Sequence, residues 1–191
     1  MNVDIYEKPM TALVDLATIP IAFEVHYVFD VTIQGEAQNE FILSKHELEV
    51  PYVKDYDTYK GEGPTRWRSH FDLSNWGFIL AYSNNQLVGG AAIAFDSPDI
   101  TMLEGRKDLA ILWDIRVLPE KRGHGVGSEL FQAAERWAIS KNCRELKVET
   151  QNVNVAACQF YKRHGCVLKA ANPFAYPDLP EEIQLLWYKN L

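Results

Sequence analysis

The sequence predicts an α/β (α+β) fold built on a mixed sheet, in one domain spanning residues 1–191. Three observations lead there. The second half alternates strand-like and helix-like segments in the order β-β-β-α-β-α-β-β. Residues 128–140 carry a helical stripe of Leu130, Phe131, Ala134, Trp137 and Ala138 at three- and four-residue steps. Two apolar runs, 76–82 and 86–95, flank the tight polar turn Ser83-Asn84-Asn85 and read as a hairpin.

Taken in order, residues 22–33 (AFEVHYVFDVTI) are rich in β-branched and aromatic side chains and read as a strand. Residues 39–49 read as a helix or an irregular segment, and 51–63, rich in Tyr, Asp and Gly, as loop. Residues 64–73 suggest a short helix with Pro64 in its first turn. After the hairpin, residues 109–117 (LAILWDIRV) form a third apolar strand, ended by Pro119. Residues 146–149 are a strand. Residues 155–163 are a second helix, with Asn154 placed to cap it and Gly165 to stop it. Residues 166–170 and 183–188 close the chain as strands. No repeat or Pro/Gly/Ser-rich linker divides it.

Composition excludes several classes. The net charge of −7 leaves no general basic face for nucleic acid. No run of about 18 apolar residues is present, so no membrane helix is expected. The N-terminus lacks the basic and apolar regions of a secretory leader, and three cysteines without a CxxC pair suggest reduced thiols in the cytoplasm. The five histidines show no metal-ligand spacing, so no metal is expected. The charge is uneven. Residues 1–110 hold 17 acidic and 8 basic side chains, a balance of −9; residues 111–191 hold 9 and 11, a balance of +2. Such a division suits one cationic and one anionic ligand, or an acidic surface in water.

The informative segment is 117–127 (VLPEKRGHGVG), between a strand and the better helix. Glycines at alternate positions let the backbone turn tightly and approach a ligand. The N–H groups of the turn and of the first helical turn converge there, the helix dipole adds positive potential, and Lys121 and Arg122 add charge. This is a place for a phosphate or pyrophosphate. A Walker turn is excluded because Gly127 is followed by Ser128 without a lysine. A Rossmann turn needs G-x-G-x-x-G; the spacing here is G-x-G-x-G, although Glu149 ends the next strand where a ribose-binding acid would sit.

Arg122, Gly125 and Gly127 match the pattern R/Q-x-x-G-x-G/A, which resembles the coenzyme A turn of the GNAT superfamily of N-acetyltransferases. Residues 154–166 (NVAACQFYKRHGC) resemble that family's second signature, with Cys166 in place of the usual aromatic. Residues 149–158 and the ending 182–188 resemble a smaller group of small-molecule enzymes that includes streptothricin acetyltransferases. The resemblance spans about residues 76–191, an acetyl-CoA-binding core. Residues 1–75 form a variable part on the acceptor side.

The resemblance implies a mostly antiparallel central sheet with two splayed parallel strands and flanking helices. It implies acetyl-CoA bound along Ile115, Arg116 and Val117, at Arg122, Gly123, His124, Gly125, Val126, Gly127 and Ser128, and at Asn154, Ala157 and Tyr161. The His124 side chain is expected in solvent. A backbone N–H of 115–117 polarises the thioester carbonyl, and Tyr161 protonates the leaving thiolate; a packed core tyrosine is the structural alternative. Asp114, beside Arg116 by strand alternation, could take the amine's proton, anchor its ammonium or pair with Arg116. The Glu-Asp pair of the streptothricin-like group is Trp113-Asp114 here. Tyr27, Asp72 and Trp76 lie upstream as substrate-side candidates by position alone. The expected acceptor is a small cationic amine. A protein N-terminus or lysine, or acyl-CoA binding without catalysis, are the alternatives. Residues 183–188 could pair two copies across a two-fold axis.

Overall fold

A two-residue hairpin turn needs φ above zero at both central positions, which Asn tolerates better than most residues. In the computed structural model, which describes residues 2–34, 40–59 and 61–191, Asn84 and Asn85 take φ of 51° and 61°. The strands are β1 (Asp4–Lys8), β2 (Phe23–Gln34), β3 (Glu40–Lys54), β4 (Gly77–Ser83), β5 (Gln86–Ala94), β6 (Leu109–Val117), β7 (Glu145–Gln151), β8 (Val167–Asn172) and β9 (Gln184–Asn190). The α-helices are α1 (Leu13–Leu16), α2 (Val126–Ser140) and α3 (Val155–Arg163). This is the expected mixed α/β fold. The chain divides into two units: Met1–Ala22 with Asp55–Leu146 and Leu191, and Phe23–Lys54 with Lys147–Asn190.

In the first unit β1, β4, β5 and β6 pair in that order, all antiparallel. Every residue of β5 from Val88 to Ala94 is buried, because the sheet is covered on both faces. Helix α2 packs on β4, β5 and β6 with the stripe read from the sequence: Leu130, Phe131, Ala134, Trp137 and Ala138 are all buried. Contact is close enough to need glycine at position 77, where a Cβ would lie 2.4 Å from the Trp137 ring. The opposite face is covered by Leu13, Leu16, Ile19, Trp67 and Leu73, packed against Phe78, Leu80, Ala92, Ala94 and Ile111.

In the second unit β2 and β3 form a long antiparallel ribbon, and β7, β9 and β8 lie in that order. Asn152, buried just after β7, joins the two. Its Nδ2 donates to the Phe29 carbonyl at 3.1 Å and its Oδ1 accepts from the Ile183 amide at 2.8 Å. The Phe29 amide donates to the Asn152 carbonyl at 3.0 Å. Lys54 and Glu182 add a buried ion pair. Such groups must be paired to be buried at all.

Several expectations change. Residues 40–49, read as helix or irregular, belong to β3; Asn39 lies outside the described residues. Charges at Glu40, Lys45, Glu47 and Glu49 broke the alternation, yet Phe41 and Leu43 pair with Ile33 and Val31 and fix the register. Residues 51–54, read as loop, continue that strand, and Tyr56–Thr58 is a 3-10 turn. Residues 64–73 contain a 3-10 helix at Pro64–Ser69 rather than an α-helix. Strand β1 and helix α1, too short for a periodic signal, were not foreseen. Helix α2 starts at Val126, two residues before the expected span 128–140. Among the described residues no helix is long and apolar enough to cross a membrane.

All three cysteines are free and buried. Burial pushes the Cys143 and Cys158 thiols up to about 11, so both are protonated near neutrality and poor nucleophiles. Native protein at pH 8 should therefore resist alkylation at these positions, with the rate rising roughly tenfold per pH unit below 11. Denaturant should release all three thiols. Mass-spectrometric alkylation mapping checks this, and fast native labelling of Cys158 would contradict it.

Candidate active site

Strand β6 ends at Val117, and the chain turns at once. The Leu118 amide donates to the Val88 carbonyl at 3.0 Å, and Pro119–Lys121 makes a single 3-10 turn. Gly123 and Gly125 then take φ of 77° and 90°, a left-handed backbone that strains any side-chain-bearing residue. A Cβ at either would meet no atom within 4 Å. Both therefore face open space, and their requirement for glycine is conformational. Gly125 is the N-cap of α2 and offers no side-chain acceptor to the helix's first amides. Among the described residues, no protein carbonyl accepts from the amides of Gly123, His124, Gly125, Val126 or Gly127. Exposed donors at the start of a 15-residue helix suit an anion.

Arg122 behaves differently from the sequence expectation. Its guanidinium does not stand beside the turn as a free cation. Nε donates to the Val117 carbonyl at 3.1 Å, Nη1 to Ala22 at 3.0 Å and Nη2 to Pro20 at 3.1 Å. The side chain fastens the turn to the end of β6 and to the segment after α1. His124 is exposed, as expected, and its Nδ1 sits 2.9 Å from the Arg122 carbonyl. Ser128 follows in the first turn of α2.

Within β6, Asp114 and Arg116 share a buried face, while Ile115 and Val117 are half-buried on the other. A bulge opposite Ala92/Ile93 leaves Trp113 unpaired, so regular alternation starts at Asp114. Trp113 packs with Trp67, Phe71 and Trp76 at ring separations of 5.2 to 6.5 Å. The Arg116 side chain is 1% exposed. Its Nε donates to both Asp114 oxygens at 2.9 and 3.0 Å, and Nη2 donates to Asp114 Oδ2 at 2.9 Å. Nη1 and Nη2 grip Asp57 at 2.6 and 2.8 Å, and Nη1 also donates to the Ile19 carbonyl at 3.3 Å. All three nitrogens are engaged.

Burial pushes the Asp114 carboxyl above its ordinary value, against the pull of Arg116 and with the push of Asp57. Burial also works against the Arg116 charge, but the hydrogen bonds to Asp57 and the charge of Asp114 outweigh it and hold the guanidinium protonated. Of the three roles open to Asp114, the geometry displays the pairing with Arg116.

The second unit carries Asn154, Ala157 and Tyr161. They lie three and four residues apart on α3 and so share one side of it. Asn154 Oδ1 accepts from the Ala157 amide at 3.1 Å, the capping bond expected of it. Tyr161 is buried, its ring edge-on to Phe160 at 5.2 Å. Glu149 lies on β7, where its oxygens accept from the Tyr176 hydroxyl at 2.5 Å and Gln184 Nε2 at 2.8 Å.

Asp57 is the residue that sequence reasoning missed. It lies in a stretch read as loop, and nothing local marks it; only its pairing partner 59 residues away does. Of the upstream candidates, Asp72 caps the Ser74 amide at 2.9 Å, which lowers its pKa. Tyr27 lies under the Lys45 ammonium, and Trp76 is buried among aromatic rings.

Comparison with known proteins places the chain in a family. Residues 43–166 match the acetyltransferase (GNAT) family. The chain is 31% identical to a streptothricin acetyltransferase of Escherichia coli over 87% of this chain and 84% of that protein. It is 26% identical to streptothricin acetyltransferase A of Bacillus subtilis (strain 168), over 86% and 88%. A crystal structure of nourseothricin acetyltransferase superposes with a TM-score of 0.76 at 22% identity, covering 100% of this chain and 99% of that one. A Bacillus anthracis str. Ames structure, described as a candidate streptothricin acetyltransferase and solved with acetyl coenzyme A, gives 0.78 at 23%, covering 100% of both. The last two likenesses establish the fold, and the family match establishes membership. The chain belongs to the acetyltransferase (GNAT) family and is an acetyl-CoA-dependent N-acetyltransferase.

Proposed function

We propose that the chain transfers the acetyl group of acetyl-CoA to a primary amine of a small cationic acceptor, of the streptothricin, aminoglycoside or polyamine kind, as an antibiotic-modifying enzyme would. The observation that carries this is the likeness to streptothricin acetyltransferases over 84% and 88% of their own lengths. The likeness to a B. subtilis protein named for ribosomal-protein alanine acetylation covers only 42% of this chain, which favours the small amine. The balance of −9 over residues 1–110 suits a cation and would steer it by long-range attraction. On this reading residues 1–75 form the acceptor side, and a cytoplasmic homodimer paired through residues 183–188 is the expected form.

The chemistry then divides as follows. The amides of residues 123–127, with the first turn of α2 to Ser128, hold the diphosphate. Backbone of Ile115, Arg116 and Val117 pairs with the pantetheine arm, and one N–H polarises the thioester carbonyl. Asn154 and Ala157 border the cofactor from α3. The neutral amine attacks carbon; the C–N bond forms, the C–S bond breaks, and the Tyr161 hydroxyl protonates the departing thiolate. The proton lost by the ammonium before attack goes to solvent or to a carboxylate, and the second, lost by nitrogen after attack, replaces the one that Tyr161 gives to sulfur. Both oxygens of Asp114 already accept from Arg116, so Asp114 serves by setting the local charge and receives a proton only through water.

Purified protein with acetyl-CoA and a panel of amines should release free thiol with at least one cationic acceptor. No release with any acceptor, together with no thermal stabilisation by CoA, overturns the reading. Tyr161→Phe should lower kcat by about 100-fold while leaving the KM for acetyl-CoA unchanged. An unchanged kcat would remove Tyr161 as the acid. Gly125→Val should cost roughly 1–2 kcal/mol of stability through its left-handed backbone. It should also weaken CoA binding by about 100-fold, by disturbing donors that act together. Calorimetric titration and thermal unfolding check both.

A further inference from the structure

Arg116 faces away from the strand edge proposed to carry the pantetheine, yet it is the most heavily bonded side chain in its unit. Five N–H bonds are what a guanidinium can make. Here they run to three stretches of chain: Asp114 on β6 itself, the Ile19 carbonyl after α1, and Asp57 in the turn that follows β3. The Asp114 and Arg116 side chains are 6% and 1% exposed, so their bond would persist without Asp57. The Asp57 side chain is 32% exposed, and among the described residues Arg116 is its one charged partner. Locally it is prepared for this one contact. Asp55 Oδ1 accepts from the Asp57 amide at 3.1 Å and holds the 3-10 turn that aims its side chain.

We propose that Asp57 is a positioning residue for the acceptor. Its two-pronged bond to Arg116 fastens residues 55–59 to β6. An acceptor amine must come to a thioester held on that strand. The piece of chain fastened at the same strand residue then forms its approach, and its placement depends on one ion pair. Releasing Asp57 frees that segment and leaves β6 held by Asp114. Acceptor binding therefore suffers, and cofactor binding does not. This inference rests on the reading given under Proposed function.

The test compares wild type with Asp57→Asn and Asp57→Glu. In Asp57→Asn the acceptor KM should rise about tenfold and the acetyl-CoA KM should stay within about twofold. Asp57→Glu, which keeps the charge, should recover most of the loss. In hydrogen exchange on the same proteins, amides of residues 56–59 should lose protection in Asp57→Asn while those of 115–117 keep theirs. A lowered melting temperature with an unchanged acceptor KM would make Asp57 merely structural and overturn the proposal. So would an equal rise in both KM values, or unchanged exchange in residues 56–59. If wild type acetylates no amine, the proposed function fails by itself; exchange still decides whether the fastening exists.

Discussion

The first unit depends on one buried guanidinium. Arg116 sits in the middle of the sheet face that packs against the N-terminal segments, where an unpaired cation would cost several kcal/mol. Two carboxylates and a carbonyl surround it, so the charge is matched and no N–H is left over. Such a network adds little net stability compared with a well-packed apolar core, but losing one partner exposes the whole desolvation cost. What it gives is uniqueness. Only one arrangement of residues 19, 57 and 114 satisfies the fork of donors, so three segments far apart in sequence are held in one relation.

Arg122 repeats this logic at the turn. A motif arginine next to an anion site invites the reading of a phosphate ligand. Here its three nitrogens are spent on carbonyls of residues 20, 22 and 117. The division of labour follows from what each group does well. Backbone amides at a helix start are rigid and cost no side-chain entropy to order, so they suit the anion. A planar guanidinium can hold three carbonyls at fixed angles, so it suits the scaffold. Arg116 and Arg122 are thus both bonded into the scaffold, while the start of α2 carries the helix dipole and the glycine amides.

How much of this was legible follows from where each signal resides. The 76–95 hairpin, α2 and α3 were readable because their patterns are local: alternation, a 3.6-residue stripe, an Asn cap. The glycine turn was readable because its φ values have a residue signature. Strand β3 was not, since its register comes from Val31 and Ile33 on β2 and its own surface is charged. Asp57 was unreadable for the same reason on a larger scale, as its role exists only through Arg116. The adjacency of Asp114 and Arg116 followed from strand alternation, but Trp113 did not, because a bulge removes it from the ladder.

The bulge also bears on the chemistry. Without it, regular alternation would put Trp113 on the face opposite Asp114, as the sequence suggested. With it, Trp113 turns into the aromatic group of Trp67, Phe71 and Trp76. Next to it in sequence, Asp114 enters the charged network. Burial of the carboxylate raises the Asp114 pKa despite its cation. A carboxylate in that condition is a poor direct base, since its oxygens are occupied, but a strong local field. Fixed charge in a dry place acts on a nearby reaction without having to move. The one irregular residue in β6 thus separates Trp113, packed among rings, from Asp114, held in the charged network.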